Sequence, residues 1–304
     1  MNGIAYFASG MNTIVIRFNG GLGNQMFQYA LGRSLSALHG ARLLFDMDFF
    51  DLPPGAHTPR SYGLDAFSVQ CDRATPTQIR LAKQGGSSLR AWLYDLHPRL
   101  APDRSRRERG FAFDPTVLEP GGMTYFDGYW QSERYFAQAP DTLRKEFCFR
   151  LSLSAERTAL AQRIKECTSV SVHVRRGDYI AHPAASAHFI PCDQAYYDAA
   201  IDHMSVAAPN AELFVFSDDL PWARDHIRGN GAIHFLEADS DAPAAVEMHL
   251  MSICHHHIIA NSSFSWWGAW LNDKAGKHVI APARWFADPR MDTRDLIPPT
   301  WIRL

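Results

Sequence analysis

The stretch "TIVIRFNGGLGNQMFQYALGRSL", residues 13–35, decides the fold. Its opening "TIVIRF" is short, β-branched and apolar, as in a strand buried on both faces. The glycine-rich "NGGLGNQ" follows, and Phe27, Leu31, Leu35 and Leu38 then recur at helical spacing. "ARLLFDM" (41–47) reads as the next strand. Strand, loop, helix and strand in that order form the unit of a parallel α/β sheet.

Working outward, the same alternation returns after a polar, helix-like stretch at 152–166. Strands are expected at "TSVSVHV" (168–174), "AELFVFS" (211–217), "GAIHFLEAD" (231–239) and "HHIIA" (256–260), with "KHVIAP" (277–282) as the last. Helices are expected at 193–204 and 242–254. Two such units predict an α/β chain of two Rossmann-like domains. Residues 1–150, starting near Met11, form the first and residues 151–304 the second, with the final segment free to pack back on the first. Within the first, "RLAPDRSRRERGF" (99–111) is expected to be a solvated basic loop, and "TYFDGYWQSERYF" (124–136) an aromatic, turn-containing segment.

The bulk numbers exclude several classes. The chain has 304 residues, 46% hydrophobic and 20% charged, with a formal net charge of −2. That describes a globular protein with no global attraction for nucleic acid. Five scattered cysteines without a CxxC pair suit free thiols in a reducing compartment. No apolar run is long enough to span a bilayer, and "MNGIAYFASG" lacks the pattern of a signal peptide. A cytoplasmic protein is expected, with peripheral contact at the inner membrane left open.

In parallel sheets ligands bind beyond the carboxyl ends of the strands, and four polar clusters fall there: "NGGLGNQ", "RRGDY", "SDD" and "NSS". In the first, Gly20, Gly21 and Gly23 allow a tight turn into a helix whose N-terminal N–H groups suit an anion. The spacing is neither GxGxxG nor a P-loop. In "HVRRGD", Arg175 at the sheet edge can offer a phosphate two charge-assisted hydrogen bonds. The plain structural alternative is an Arg–Asp pair, with Asp178 holding Arg176. Ser262 and Ser263 stand where serine caps a helix. Behind them Trp267, Trp270 and Leu271 share a helical face and serve as packing that keeps the anion site rigid. "CHHH" (254–257) lacks the spacing of a metal site.

"IRFNGGLGNQMFQYALGRSL", "HVRRGDY", "FSDD" and "NSSFSWWGAWLN", in that order, resemble the bacterial α-1,2-fucosyltransferases, the glycosyltransferase family 11 that includes the blood-group H-type enzymes. The resemblance implies a GT-B-type architecture and inverting transfer of L-fucose from GDP-fucose to the 2-hydroxyl of a terminal galactose. It implies no cofactor and no required metal. "DMD" (46–48) and "DSD" (239–241) are the nearest approaches to a metal-diphosphate signature, and the arginine is preferred. The family motif places Arg175 on the β-phosphate, with Ser262 and Ser263 sharing that load and Asn24, Gly21 and Gly23 beside the phosphate or fucose. His173 lines the guanine or ribose pocket. Glu247 resembles the acidic position that accepts two guanine donors, or is an ordinary helix glutamate. Asp218 and Asp219 orient loops or hold Arg176. For the general base, Asp178, His182 and His188 are possible by position. Against this reading stand a dinucleotide-dependent oxidoreductase using the glycine loop and a non-catalytic carbohydrate-binding module using the tryptophans.

Overall fold

A computed structural model describes residues 12–53, 60–96, 103–181, 188–237 and 242–304. The strands are β1 (Thr13–Arg17), β2 (Arg42–Asp46), β3 (Arg106–Arg107), β4 (Met123–Asp127), β5 (Ser169–Val174), β6 (Glu212–Ser217), β7 (Ile233–Leu236), β8 (His256–Ile258), β9 (Val279–Ala281) and β10 (Ile302–Arg303). The helices are α1 (Leu22–His39), α2 (Pro76–Lys83), α3 (Ser88–Leu96), α4 (Pro140–Glu146), α5 (Ala155–Glu166), α6 (Gly177–Ala181), α7 (Gln194–Ala207), α8 (Leu220–His226), α9 (Ala244–Ser252) and α10 (Ser263–Leu271).

They build two parallel sheets. The first runs β2-β1-β4-β3 and the second β10-β9-β8-β5-β6-β7. Read from β7, the second follows the 3-2-1-4-5-6 order of dinucleotide-binding folds, with its reversal between β5 and β8. The first sheet reverses between β1 and β4. The expected α/β architecture of paired Rossmann-like sheets with a cleft at their carboxyl ends is met.

Two short strands differ from expectation. Arg106 and Arg107 pair in parallel with Phe126 and Asp127, so part of the basic run is an edge strand. β10 pairs with β9 through Ile302 and Arg303, one strand beyond the expected last. Both are two-residue edges, too short to carry a hydrophobic period.

The seam between the halves is apolar. One cluster joins Ile14, Ile16 and Phe27 from the first unit to Trp266, Trp267, Trp285 and Trp301 from the second. The Phe27 ring centre lies 4.5 Å from that of Trp266 and 4.9 Å from that of Trp267. α10 is therefore buried nearly all round: Trp266 joins Trp267 and Trp270 in the core, whereas Leu271 is only partly buried. Chain segments beyond β9 return to the first unit, where Asp295 accepts from Arg134 at 2.7 Å and from the Phe113 N–H at 3.0 Å.

Candidate active site

A cleft of about 720 Å³ opens at the carboxyl ends of both sheets. Its wall includes Gly21, Gly23, Asn24, His173, Arg175, Glu247, Ser262 and Ser263, which the sequence had scattered over more than 200 positions. Asp178 sits in α6, but its side chain lies outside the described residues, as do His182 and "DSD" (239–241). His188 is exposed and off the cleft wall.

Two helix N-termini meet in the cleft. α1 begins at Gly21 with no side-chain cap, and neither α1 nor α10 carries an acid in its first turn. Apart from the Phe264 N–H, which Ser262 caps, their first-turn N–H groups and dipoles favour an anion, with no carboxylate in either first turn. The approach is so close that a Cβ on Gly23 would lie 2.5 Å from the Ser263 carbonyl carbon and 2.7 Å from the Phe264 nitrogen. Gly23 is glycine because α10 abuts it; Gly21, with nothing within 4 Å of an added Cβ, is the one that leaves room in the cleft.

The three residues of "NSS" divide the work. Asn261, fully buried, donates to the carbonyls of Ile190 at 3.0 Å and Trp285 at 2.9 Å, fixing the turn after β8. Ser262 is the N-cap, its Oγ accepting from the Phe264 N–H at 3.3 Å. Ser263 reaches across and donates to Asn24 Oδ1 at 2.8 Å, an oxygen that also accepts from Gln131 Nε2 at 2.8 Å. Asn24 thereby ties the two units together at the cleft floor.

At the edge of the second sheet the arginines have partners. Arg175 Nη1 lies 3.0 Å from Asp218 Oδ2, and Arg176 Nε lies 3.4 Å from Asp219 Oδ2. Arg176 also stacks on Trp222, with its guanidinium carbon 4.1 Å from the ring centre. Of the partners expected for Arg176, Asp219 is the one the described residues show, while the Asp178 side chain lies outside them: β5 and β6 are in register, Val174 opposite Ser217, so each arginine meets an aspartate of "SDD". Asp218 also accepts the Arg176 N–H at 2.8 Å. Arg175, still part of the cleft wall, is held in place by a neighbour rather than left to swing.

His173 is enclosed, and burial together with the Arg175 charge pushes its pKa down to about 3. It is a neutral imidazole at any physiological pH. Its Nδ1 is buried and finds no hydrogen-bond partner among the described residues. His173 itself lines the cleft, so its neutral ring contributes a polar but uncharged part of the wall.

Several functional groups escaped the sequence reading. Gln25 and Gln28, both fully buried on α1, pin the surrounding loops. Gln25 Nε2 donates to the carbonyls of Gly20 and Ser61, and Gln28 Nε2 donates to Asn19 Oδ1 and the Gly128 carbonyl. The signal was available: two polar residues among helix positions otherwise read as apolar. Glu108, from the supposed solvated loop, accepts the Tyr129 and Trp130 N–H groups at 2.7 and 2.8 Å. It fixes a turn in which Trp130 takes a left-handed φ of 60°, uncommon for a bulky residue. That turn presents Tyr129 and Gln131 to the cleft. Burial pushes the Glu108 carboxyl up to about 7.

The neighbouring histidines make separate contacts. His255 Nδ1 meets Ser169 Oγ at 3.1 Å, His256 Nδ1 accepts from the His278 N–H, and His257 lies between Ser171 and Asn272. Among the described residues, no three His, Cys, Asp or Glu side chains converge as a metal site.

A model of the glycosyl transferase family 11 matches residues 106–304, well over half of the chain. The chain belongs to this family. Among family relatives, an α-1,2-colitosyltransferase of Escherichia coli is 32% identical over 298 residues, covering 97% of this chain and 99% of that protein. The Escherichia coli O-antigen biosynthesis glycosyltransferase WbnK is 30% identical over 94% of this chain and 98% of its own length. The galactoside 2-α-L-fucosyltransferase Sec1 of Mus musculus is 25% identical, over 84% of this chain and 63% of that protein. No helix among the described residues of this family 11 glycosyltransferase is long and apolar enough to cross a membrane.

Proposed function

We propose that this glycosyltransferase moves L-fucose from GDP-fucose to the 2-hydroxyl of a terminal galactose, with inversion and without a metal. One observation supports this reading above the others: two helix N-termini, Arg175 and the neutral ring of His173 converge on the wall of one cleft. A nucleoside diphosphate fits those groups, because its departing phosphate charge needs fixed donors in a water-poor site. Arg175 and the first turns of α1 and α10 receive that charge. Asn24, held by Ser263 and Gln131, keeps the two halves of the donor site in register. Glu247, in the first turn of α9 and on the cleft wall, accepts from guanine, and His173 meets the base or ribose. In this reading residues 1–150 present the acceptor and residues 151–304 the donor. The cytoplasm is the proposed compartment, in keeping with the free thiols of Cys71, Cys148, Cys167, Cys192 and Cys254.

A second donor has a specific observation behind it. The 32% identical relative is named for colitose, which is fucose lacking the 3-hydroxyl. A site built to hydrogen-bond a hydroxyl rejects the analogue lacking it by roughly 10⁴-fold, so one of the two donors should dominate. The test offers GDP-fucose and GDP-colitose separately with galactosides in EDTA, and assigns the product linkage by NMR. Fucosyl transfer to the 2-hydroxyl is expected. Transfer only from GDP-colitose corrects the donor, a different linkage corrects the regiochemistry, and loss of activity in EDTA that returns with a divalent ion removes the metal-free step.

A further inference from the structure

The four strands of the first sheet end in one row. Register sets Arg17 opposite Asp46 and Arg107 opposite Asp127, and Arg17 Nη1 lies 3.1 Å from Asp127 Oδ1. Across the sheet edge the order is therefore Asp46, Arg17, Asp127, Arg107, with charges alternating at every strand. Below the row lie Val15, Leu44 and Tyr125, the apolar face covered by α2. The Tyr125 hydroxyl reaches up to donate to Asp46 Oδ2 at 2.6 Å.

The row lines a separate pocket of about 280 Å³, which also includes Lys83 and Phe49. This pocket adjoins the cleft, with Arg17 and Phe49 lining both. It stands at the carboxyl edge of the sheet and spans the strand-order reversal between β1 and β4, where parallel sheets place ligands.

Its chemistry excludes most ligand types. The row sums to zero charge, and with Lys83, Asp48 and Asp103 the pocket wall carries three cations and four carboxylates, which disfavours a phosphate; among the described residues no three carboxylates converge to hold a cation. Carboxylates only accept hydrogen bonds and guanidinium groups only donate them. An alternating row suits a neutral molecule whose every polar group does both, which is what a sugar hydroxyl does. Adjacent strands, about 4.8 Å apart, place successive charges roughly one ring width from each other. Phe49, which lines both pockets, adds an apolar aromatic group against which the C–H side of such a ring can pack.

We propose that this row is a saccharide subsite holding the sugar next to the one that receives the transferred residue. The proposal rests on the transferase reading above. Arg107→Ala and Asp127→Asn are assayed with methyl galactoside and with disaccharides that carry the same galactose at their non-reducing end. The unaltered enzyme prefers a disaccharide, and in both variants the disaccharide-to-monosaccharide ratio of kcat/KM falls roughly tenfold, the loss of one charged hydrogen bond. Arg107, paired with Asp103 at 2.8 Å, is the exposed end of the row, so its variant carries the test even where Asp127→Asn folds poorly. A wild-type enzyme indifferent to the second sugar, or variants with an unchanged ratio, overturns the subsite. An unaltered enzyme that transfers to neither acceptor overturns the transferase reading instead.

Discussion

The carboxyl edges of the two sheets carry the same kinds of residue and put them to different use. At the second, Arg175 is backed by Asp218 and faces a cleft into which two helices direct their N-termini, with no acid in either first turn. At the first, Arg17 and Arg107 alternate with Asp46 and Asp127 in a neutral row. A local excess of positive potential suits a charged diphosphate; balanced alternation suits an uncharged polyol. The lesson is that overall topology places both sites, while the sign pattern along a strand edge selects what each can hold.

The largest effect expected is at the second edge. Arg175→Lys keeps the charge but loses the planar fork, and kcat falls roughly 10²- to 10³-fold with every acceptor alike. Steady-state kinetics beside circular dichroism checks this; near wild-type turnover would erase the distinction between the edges. Glu108→Gln sharpens the other side. The folded carboxyl titrates near 7 and the unfolded one near 4.5, so the unfolded chain loses this proton first. The wild type therefore loses stability as pH rises between those values, on the order of 2–3 kcal/mol. Urea unfolding at pH 5 and pH 8 should show that loss in the wild type and a smaller one in the variant.

Smaller effects separate two glycines of one loop. Gly23→Ala drives a methyl into the Ser263–Phe264 backbone, which cannot rotate away, and destabilises by about 1–3 kcal/mol while weakening GDP binding. Gly21→Ala meets open space at an ordinary φ of −78°, so it costs only the poorer N-cap, about 0.5–1 kcal/mol, and leaves the α1–α10 contact intact. Thermal unfolding and calorimetric titration with GDP distinguish the two. Equal behaviour would mean that the α1–α10 contact does not shape the donor site.

What was legible in the sequence was local. The strand-loop-helix opening, the arginine after β5 and the serines after β8 each announce themselves within a dozen residues, and the structure gathers them on one wall. What was missed depends on register. The hold of Asp219 on Arg176 was among the expectations, but the pairing of Arg175 with Asp218 follows from where β5 lies against β6, which no spacing reveals. The charge row was half visible, since "IVIR", "LLFD" and "TYFD" each end an apolar run on a charge, but its alternation appears only once the strands are ordered. Glu108 was hidden in a run of arginines that read as solvated. Gly23 was assigned to the ligand, whereas its bare Cα is needed by a helix 240 residues away.

The tryptophan helix has a consequence for motion. Because α10 enters from the second sheet and is buried among Phe27, Phe136 and Phe147 of the first unit, the two halves share an interior instead of a sliding surface. Wide hinge opening would expose indoles to water. Substrate exchange is then left to the loops at the rim, and a chain severed between α4 and α5 should yield fragments that are insoluble apart and recover only when mixed.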